Sequence, residues 1–336
     1  MLTIGLFVGT LALIFTRPRG LNEAWATTIG AALMLVCGRE TVGQAFEMTR
    51  QGADVLAFLF ALMLLSALLE RSGFFEWAAV CAARAARGDT GKLYRNVFLL
   101  RAATTALLSL DTTAILLAPV VLTFVKRLKL LALPFLMACG FVSNSGSLLM
   151  PVSNLTNLLF QTAFHFRFGE FALRMLLPQI VVVAVNYVLF AWYFHRDLPA
   201  AFTGTELPAP EATIPDEPYF RCALWVLGGI TVGYFVGALV GVPPYAIALG
   251  GCAVLLVFGL VRRRVDLGIG REISYPLFPF VIGLFVMIRA VENLGIAGYA
   301  ARGSRARAVR RSAVRGRVRR QLATVDRAAC HQRRYR

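Results

Sequence analysis

The sequence predicts an all-α polytopic membrane protein, and three observations carry this. Hydrophobic residues fill 58% of the 336 positions and charged residues only 16%, where soluble domains are roughly a quarter charged. The apolar residues gather in long runs at about 2–16, 24–38, 53–70, 96–125, 130–164, 174–195, 219–239, 243–261 and 275–291. About 20 apolar residues span a bilayer as a helix. Arg and Lys concentrate in particular gaps between the runs, which the positive-inside rule assigns to the cytoplasm. These are Arg17 and Arg19; Arg84, Arg87, Lys92 and Arg95; Lys126, Arg127 and Lys129; and Arg262, Arg263, Arg264 and Arg271.

The first run, Met1–Thr16, lacks a basic start and a small-residue cleavage site, so it reads as a membrane helix rather than a signal peptide. Arg71–Ala86 carries Phe74, Phe75, Trp77 and Val80 on one face, the pattern of an interfacial helix. The run 96–125 has cytoplasmic residues at both ends, which a single crossing cannot have. Its length suits a re-entrant hairpin of two half-helices with Asp111 at the tip; the alternative is two cramped helices with Asp111 in an outer loop. The run 130–164 is too long for one simple span and is interrupted by Gly140, Gly146 and Pro151. It reads as a broken helix, unwound at about 143–151. From 196 to 218 the chain is rich in proline and acidic residues and reads as a polar linker.

Two polar clusters sit inside this apolar sequence. One is Ser109, Asp111, Thr112 and Thr113. The other is Ser143, Asn144 and Ser145, followed by Ser153, Asn154, Thr156 and Asn157. Polar groups at membrane depth are costly and mark solute pathways, and a backbone broken at that depth lines a cavity. Helix ends at such breaks present free N–H and C=O groups. These residues are therefore the expected substrate- or ion-binding set, with Asp111 as the protonatable group.

A weak internal repeat supports a two-part design. Glu70 and Glu292, Gly73 and Gly295, and Phe58 and Phe280 are pairs at one offset of 222. The charge pattern puts the end of the first copy inside and that of the second outside. That is the mark of an inverted-repeat transporter fold.

Residues 74–164 resemble the ArsB-type arsenite permeases of the ion transporter superfamily. The resemblance rests on Gly73-Phe74-Phe75-Glu76-Trp77-Ala78-Ala79, on Leu116-Leu117-Ala118-Pro119-Val120-Val121-Leu122 and on Pro151-Val152-Ser153-Asn154-Leu155-Thr156-Asn157. Phe280–Gly295 looks like the start of that family's second half, and about residues 1–300 are covered. The resemblance implies two inverted halves meeting at a central site. It also implies export of an arsenite or antimonite species, coupled to protons or helped by a separate ATPase subunit. The family's hairpin tip often reads Ser-Asn-Asp; here Ser109-Leu110-Asp111 keeps the acid and loses the amide. Its broken helix often reads Ala-Asp-Thr; here Ser143-Asn144-Ser145 has lost the acid. Sodium–proton antiporters and citrate-like organic-anion carriers share the scaffold and remain alternatives.

On this reading residues 1–195 form the first repeat, 196–218 the linker, 219–301 a partial second repeat and 302–336 an aberrant Arg-rich tail. From Arg302 onward there are 13 arginines and one aspartate, so this tail supplies +12 of the net +17. It reads as out-of-frame translation or truncation of a longer permease, with a non-functional remnant as a further alternative. It lacks interleaved aromatics and any nucleic-acid-binding module, so no nucleic-acid partner is expected. The expected partners are a small solute or ion and the lipid bilayer, with a separate ATPase subunit and a second copy in a homodimer also open. No P-loop, HExxH or GxSxG context exists, so no enzyme is expected. The six cysteines are scattered without a CxxC pair, and the three histidines lie near helix ends or in the tail. Free thiols, no metal and no cofactor follow. The expected location is the bacterial cytoplasmic membrane, crossed several times.

Overall fold

The computed structural model describes residues 2–108, 110–164, 166–202 and 208–293. Among them the chain forms α1 (Leu2–Thr16), α2 (Glu23–Val36), α3 (Val42–Gln51), α4 (Ala53–Arg71), α5 (Phe74–Arg84), α6 (Thr90–Leu107) and α7 (Leu110–Arg127). Then follow α8 (Ala132–Ser145), α9 (Leu155–Ala163), α10 (Phe168–Tyr193), α11 (Glu217–Val240), α12 (Pro244–Val261) and α13 (Leu277–Glu292). Every apolar run reappears as a helix, and the two longest resolve into the pairs α6/α7 and α8/α9. Helices α4, α10, α11 and α12 are long and apolar enough to cross a bilayer alone. This is an all-α, multi-pass membrane protein. The Arg-rich tail lies outside the described residues.

The chain packs as two compact units, residues 1–51 with those from 276 onward, and residues 52–275. In the first, α13 lies along α2, and Ala31, Met34, Val286, Met287 and Ala290 form its core. Gly283 lets α13 approach the Thr27 backbone so closely that a Cβ there would stand 2.9 Å from it, the small-residue contact typical of membrane helices. Helix α3 had no apolar run to announce it. It starts at a capping box, in which Thr41 N–H donates to Gln44 Oε1 and Gln44 N–H to Thr41 Oγ1. Glu40, just before it, is 4% exposed and accepts from Asn293 Nδ2; burial pushes its carboxyl above the ordinary range.

In the second unit α4 packs on α12 and α11, where Cys252 Sγ donates to Ala61 O at 3.2 Å. The two units are built alike. Shifting α1, α2 and α4 by 222 residues brings them onto α11, α12 and α13, and α3 onto the 3-10 turn Leu267–Glu272. Yet α13 packs with α1 and α2, and α4 with α11 and α12. Each copy of the repeat thus contributes its last helix to the other copy's bundle. The packing units for that reason cut across the repeat boundaries expected from sequence.

One end of the second unit gathers the loops that the positive-inside rule assigns to the cytoplasm. Arg71 pairs with Glu272, and Asp216 pairs with Arg262 and Arg264. The linker is tied to this end rather than irregular: Phe202 N–H donates to Gly88 O at 2.8 Å, and the turn Pro210–Thr213 packs on α5. Helix α5 also departs from the expected interfacial role. Its apolar residues Phe75, Ala78, Ala79, Val80 and Ala83 are buried against protein, chiefly α6 and α7, instead of lying on lipid.

Two predictions arise here. Gly73 has φ +80, and a Cβ on it would meet Thr213 O at 2.6 Å and Pro215 Cδ at 2.8 Å. Left-handed strain and a backbone clash together should make Gly73→Ala less stable by about 2–4 kcal/mol, read as a lower melting temperature in detergent. Asp216 caps α11 through Tyr219 N–H, and hydrogen bonds from Arg262 hold its carboxyl below the ordinary carboxylate range. A depressed folded pKa stabilises above the unfolded pKa and is lost as pH falls through the folded one. Asp216→Asn should therefore melt below the parent at pH 7, with the gap closing below about pH 4.

Candidate functional site

Helix α6 is capped by Asp89, whose side chain accepts from Lys92 N–H, and it ends at Leu107. This start lies six residues before the apolar run, because a cap and a charged first turn carry no hydropathy signal. The chain leaves the helix at Leu108 (φ −103, ψ −80) and re-enters one at Leu110. Ser109 lies outside the described residues; Asp111, Thr112 and Thr113 fall in the first turn of α7. The hairpin therefore turns where the polar cluster sits.

The second break comes slightly later than expected. Ser143 Oγ donates to Cys139 O (2.7 Å) and Ser145 Oγ to Phe141 O (3.1 Å), so both serines stay within α8. The helix ends at Gly146, where a Cβ would stand 2.6 Å from Val142 O and 3.2 Å from Ala102 Cα of α6. A turn, the 3-10 segment Pro151–Ser153 and the extended Asn154 follow before α9 begins. Asn154 Oδ1 accepts from Thr156 N–H at 3.0 Å, which caps the new helix.

Backbone groups released by such a break need partners inside a membrane. Asn157 Nδ2 donates to Ser147 O (2.6 Å) and Met150 O (3.1 Å). Ser147 Oγ donates to Asn144 O (2.8 Å) and accepts, more weakly, from Asn154 Nδ2 (3.4 Å). From α10, Gln179 accepts from Leu148 N–H and donates to Gly146 O, each at 3.0 Å. Much of the Ser and Asn cluster thus holds the break open. A hydroxyl that donates inward keeps lone pairs for a solute's O–H groups.

The two breaks meet. Ser153 Oγ donates to Ala106 O, one turn short of the hairpin tip, at 2.6 Å. A cavity of about 30 Å³ lies between them, lined by Leu110, Ser153, Asn154 and Leu155 with Phe58 and Leu62 of α4. It is enclosed enough for a single water. Of the sequence-derived residues, Ser153 and Asn154 line this cavity, Asn157 ties the backbone of the break, and Ser143 and Ser145 bond back into α8. The side chains of Asn144 and Thr156 are exposed on the same segment.

Two residues here were not read from the sequence as part of the site. Arg101 on α6 is fully buried, and its Nε donates to Ser143 Oγ at 3.1 Å, joined by Nη2. It pins the hairpin to α8. Gln179 is the other; as Gln179→Leu it would strand Gly146 O and Leu148 N–H. We expect this to cost about 1–3 kcal/mol of stability and to lower transport, measured on the same purified variant. A lone Arg in an apolar run and a Gln after Pro178 were the available signals.

Comparison with known proteins bears on this arrangement. Residues 10–313 match the citrate transporter family, CitMHS. The chain is 34% identical over 303 residues to the arsenical pump membrane protein of Yersinia enterocolitica, covering 89% of this chain and 71% of that one. It is 32% identical, with the same coverage, to the arsenical pump membrane protein of Escherichia coli K12. It is 27% identical over 311 residues to a 46 kDa membrane protein of Mycobacterium leprae, covering 90% and 71%. These matches run through the hairpin, the broken helix and the linker alike, and the chain belongs to the citrate transporter family, among its arsenical pump membrane proteins.

Proposed function

We propose that this chain is a secondary transporter that exports arsenite or antimonite across the bacterial cytoplasmic membrane, with protons as the coupling ion. The observation that carries this is the meeting of two helix breaks around one small polar-edged cavity, tied by Ser153 to Ala106. Arsenous acid is a small neutral solute with several O–H groups, and such a solute suits many modest hydrogen bonds. Ser109, Thr112, Thr113, Ser143, Asn144, Ser145, Ser153, Asn154, Thr156 and Asn157 supply hydroxyls and amides for it. Asp111, in the first turn of α7, is the group that takes and releases the proton as access alternates. The cavity is too small for the solute as it stands, so transport requires the hairpin and broken helix to part. No bond of the solute changes.

The test is uptake of radioactive arsenite by everted vesicles containing the chain. Accumulation driven by an imposed pH gradient, abolished by a protonophore, is the expected result. Accumulation of citrate in its place would move the assignment to an organic-anion carrier. A chain that inserts but moves neither solute would sink the proposal. Co-purification tests the two remaining partners, a separate ATPase subunit and a second copy of the chain.

A further inference from the structure

Away from the two breaks, a cavity lies at the charged end of the second unit. It measures about 240 Å³ and is formed by α5, α7 and Pro208 of the linker. Its walls are apolar, with Val80, Pro119, Val120 and Phe124. It also holds two opposite charges, Glu76 from the first turn of α5 and Arg127 at the end of α7. Both side chains sit on exposed residues, and neither forms an ion pair among the described residues. Two opposite charges that share a cavity without pairing with each other present an acceptor and a donor to a third group.

We propose that this cavity binds the headgroup of a phosphatidylethanolamine from the inner leaflet. The phosphate lies against the Arg127 guanidinium, a charge-assisted contact that guanidinium geometry favours. The ammonium donates N–H to the Glu76 carboxylate. The glycerol and first acyl carbons lie on Val80, Pro119, Val120 and Phe124. Size fits this occupant: the cavity is below the roughly 300–1,000 Å³ of a drug-sized pocket, right for a headgroup and not for a whole lipid. Position fits too. Arg127 is followed by Lys129, and the cavity shares its end of the unit with the other cytoplasmic loops, at the level of inner-leaflet headgroups. A choline headgroup has no N–H for Glu76, so the site discriminates between two lipids of equal net charge.

The test uses the full chain in nanodiscs of equal parts phosphatidylethanolamine, phosphatidylcholine and phosphatidylglycerol, extracted gently, with retained lipids counted by mass spectrometry. Phosphatidylethanolamine should exceed phosphatidylcholine by about three- to tenfold, the range between an exposed and a well-made charged hydrogen bond. Glu76→Gln, which keeps an acceptor oxygen but loses the charge, should reduce that preference at least about twofold while total bound phospholipid stays near the parent value. Arg127→Gln should lower both zwitterionic lipids together. Melting temperatures of both variants separate loss of the site from loss of the fold. A parent ratio equal to that of the disc, or a preference undiminished by Glu76→Gln in a folded variant, overturns the proposal. So does dominant retention of phosphatidylglycerol, which marks a general basic surface. Equal stabilisation by soluble phosphoethanolamine in lipid-free detergent also overturns it, since the occupant would then be a free solute.

Discussion

Asp111→Asn should abolish gradient-driven accumulation of arsenite while leaving exchange of solute across the membrane in place. Asparagine has the size and much of the hydrogen-bonding capacity of the protonated acid but cannot release a proton. It would mimic one protonation state permanently. If the acid carries the coupling, the loss of accumulation should be at least about tenfold, since no other acid remains in either polar cluster to replace it. Counterflow needs no net proton movement. It should persist within a few-fold of the parent, and this separates a coupling defect from a folding defect. Parent-like accumulation in Asp111→Asn vesicles would remove this residue from the mechanism and leave the coupling ion without a carrier.

Arg101→Met should nearly silence transport without preventing membrane insertion. The guanidinium sits 11 residues beyond Thr90, about 17 Å along α6, and is fully buried. Losing that charge removes an insertion cost of about 2.5–3.5 kcal/mol, so α6 should enter the bilayer at least as readily. Ser143 is not stranded either, because its hydroxyl still donates to Cys139 O. The change removes the bonds to Ser143 that register the hairpin against α8, beside the break. Misplacement of this kind can cost about a hundredfold in rate. Arg101→Lys keeps the charge but not the planar fork and should fall between the two. Transport rates in Arg101→Met equal to the parent would show the pin to be dispensable.

Much of this arrangement was legible in the sequence. Run length placed the helices. Polar residues in the middle of apolar runs placed both breaks, the second within a few residues. The displacement has a local cause, hydroxyls of Ser143 and Ser145 that bond back into α8, and such bonds leave no pattern in hydropathy. Helix α3 was missed because no apolar run announced it, although Thr41 and Gln44 have capping-box spacing. Arg101 and Gln179 were missed because single polar residues in apolar runs read equally well as surface positions. Only their partners, Ser143 on one side and the Gly146–Leu148 backbone on the other, reveal what they hold. The exchange of final helices was hidden for a different reason: a sequence repeat says which segments are alike, and nothing about which of them touch.

That exchange has a consequence for biosynthesis. The unit formed by residues 52–275 is continuous, so it can assemble as it leaves the ribosome. The first three helices cannot, because the partner that covers α2 is made about 225 residues later. At about 5–20 residues per second they wait some 11–45 s with an uncovered flank. During that interval the insertion machinery, or lipid itself, must shield them from wrong neighbours.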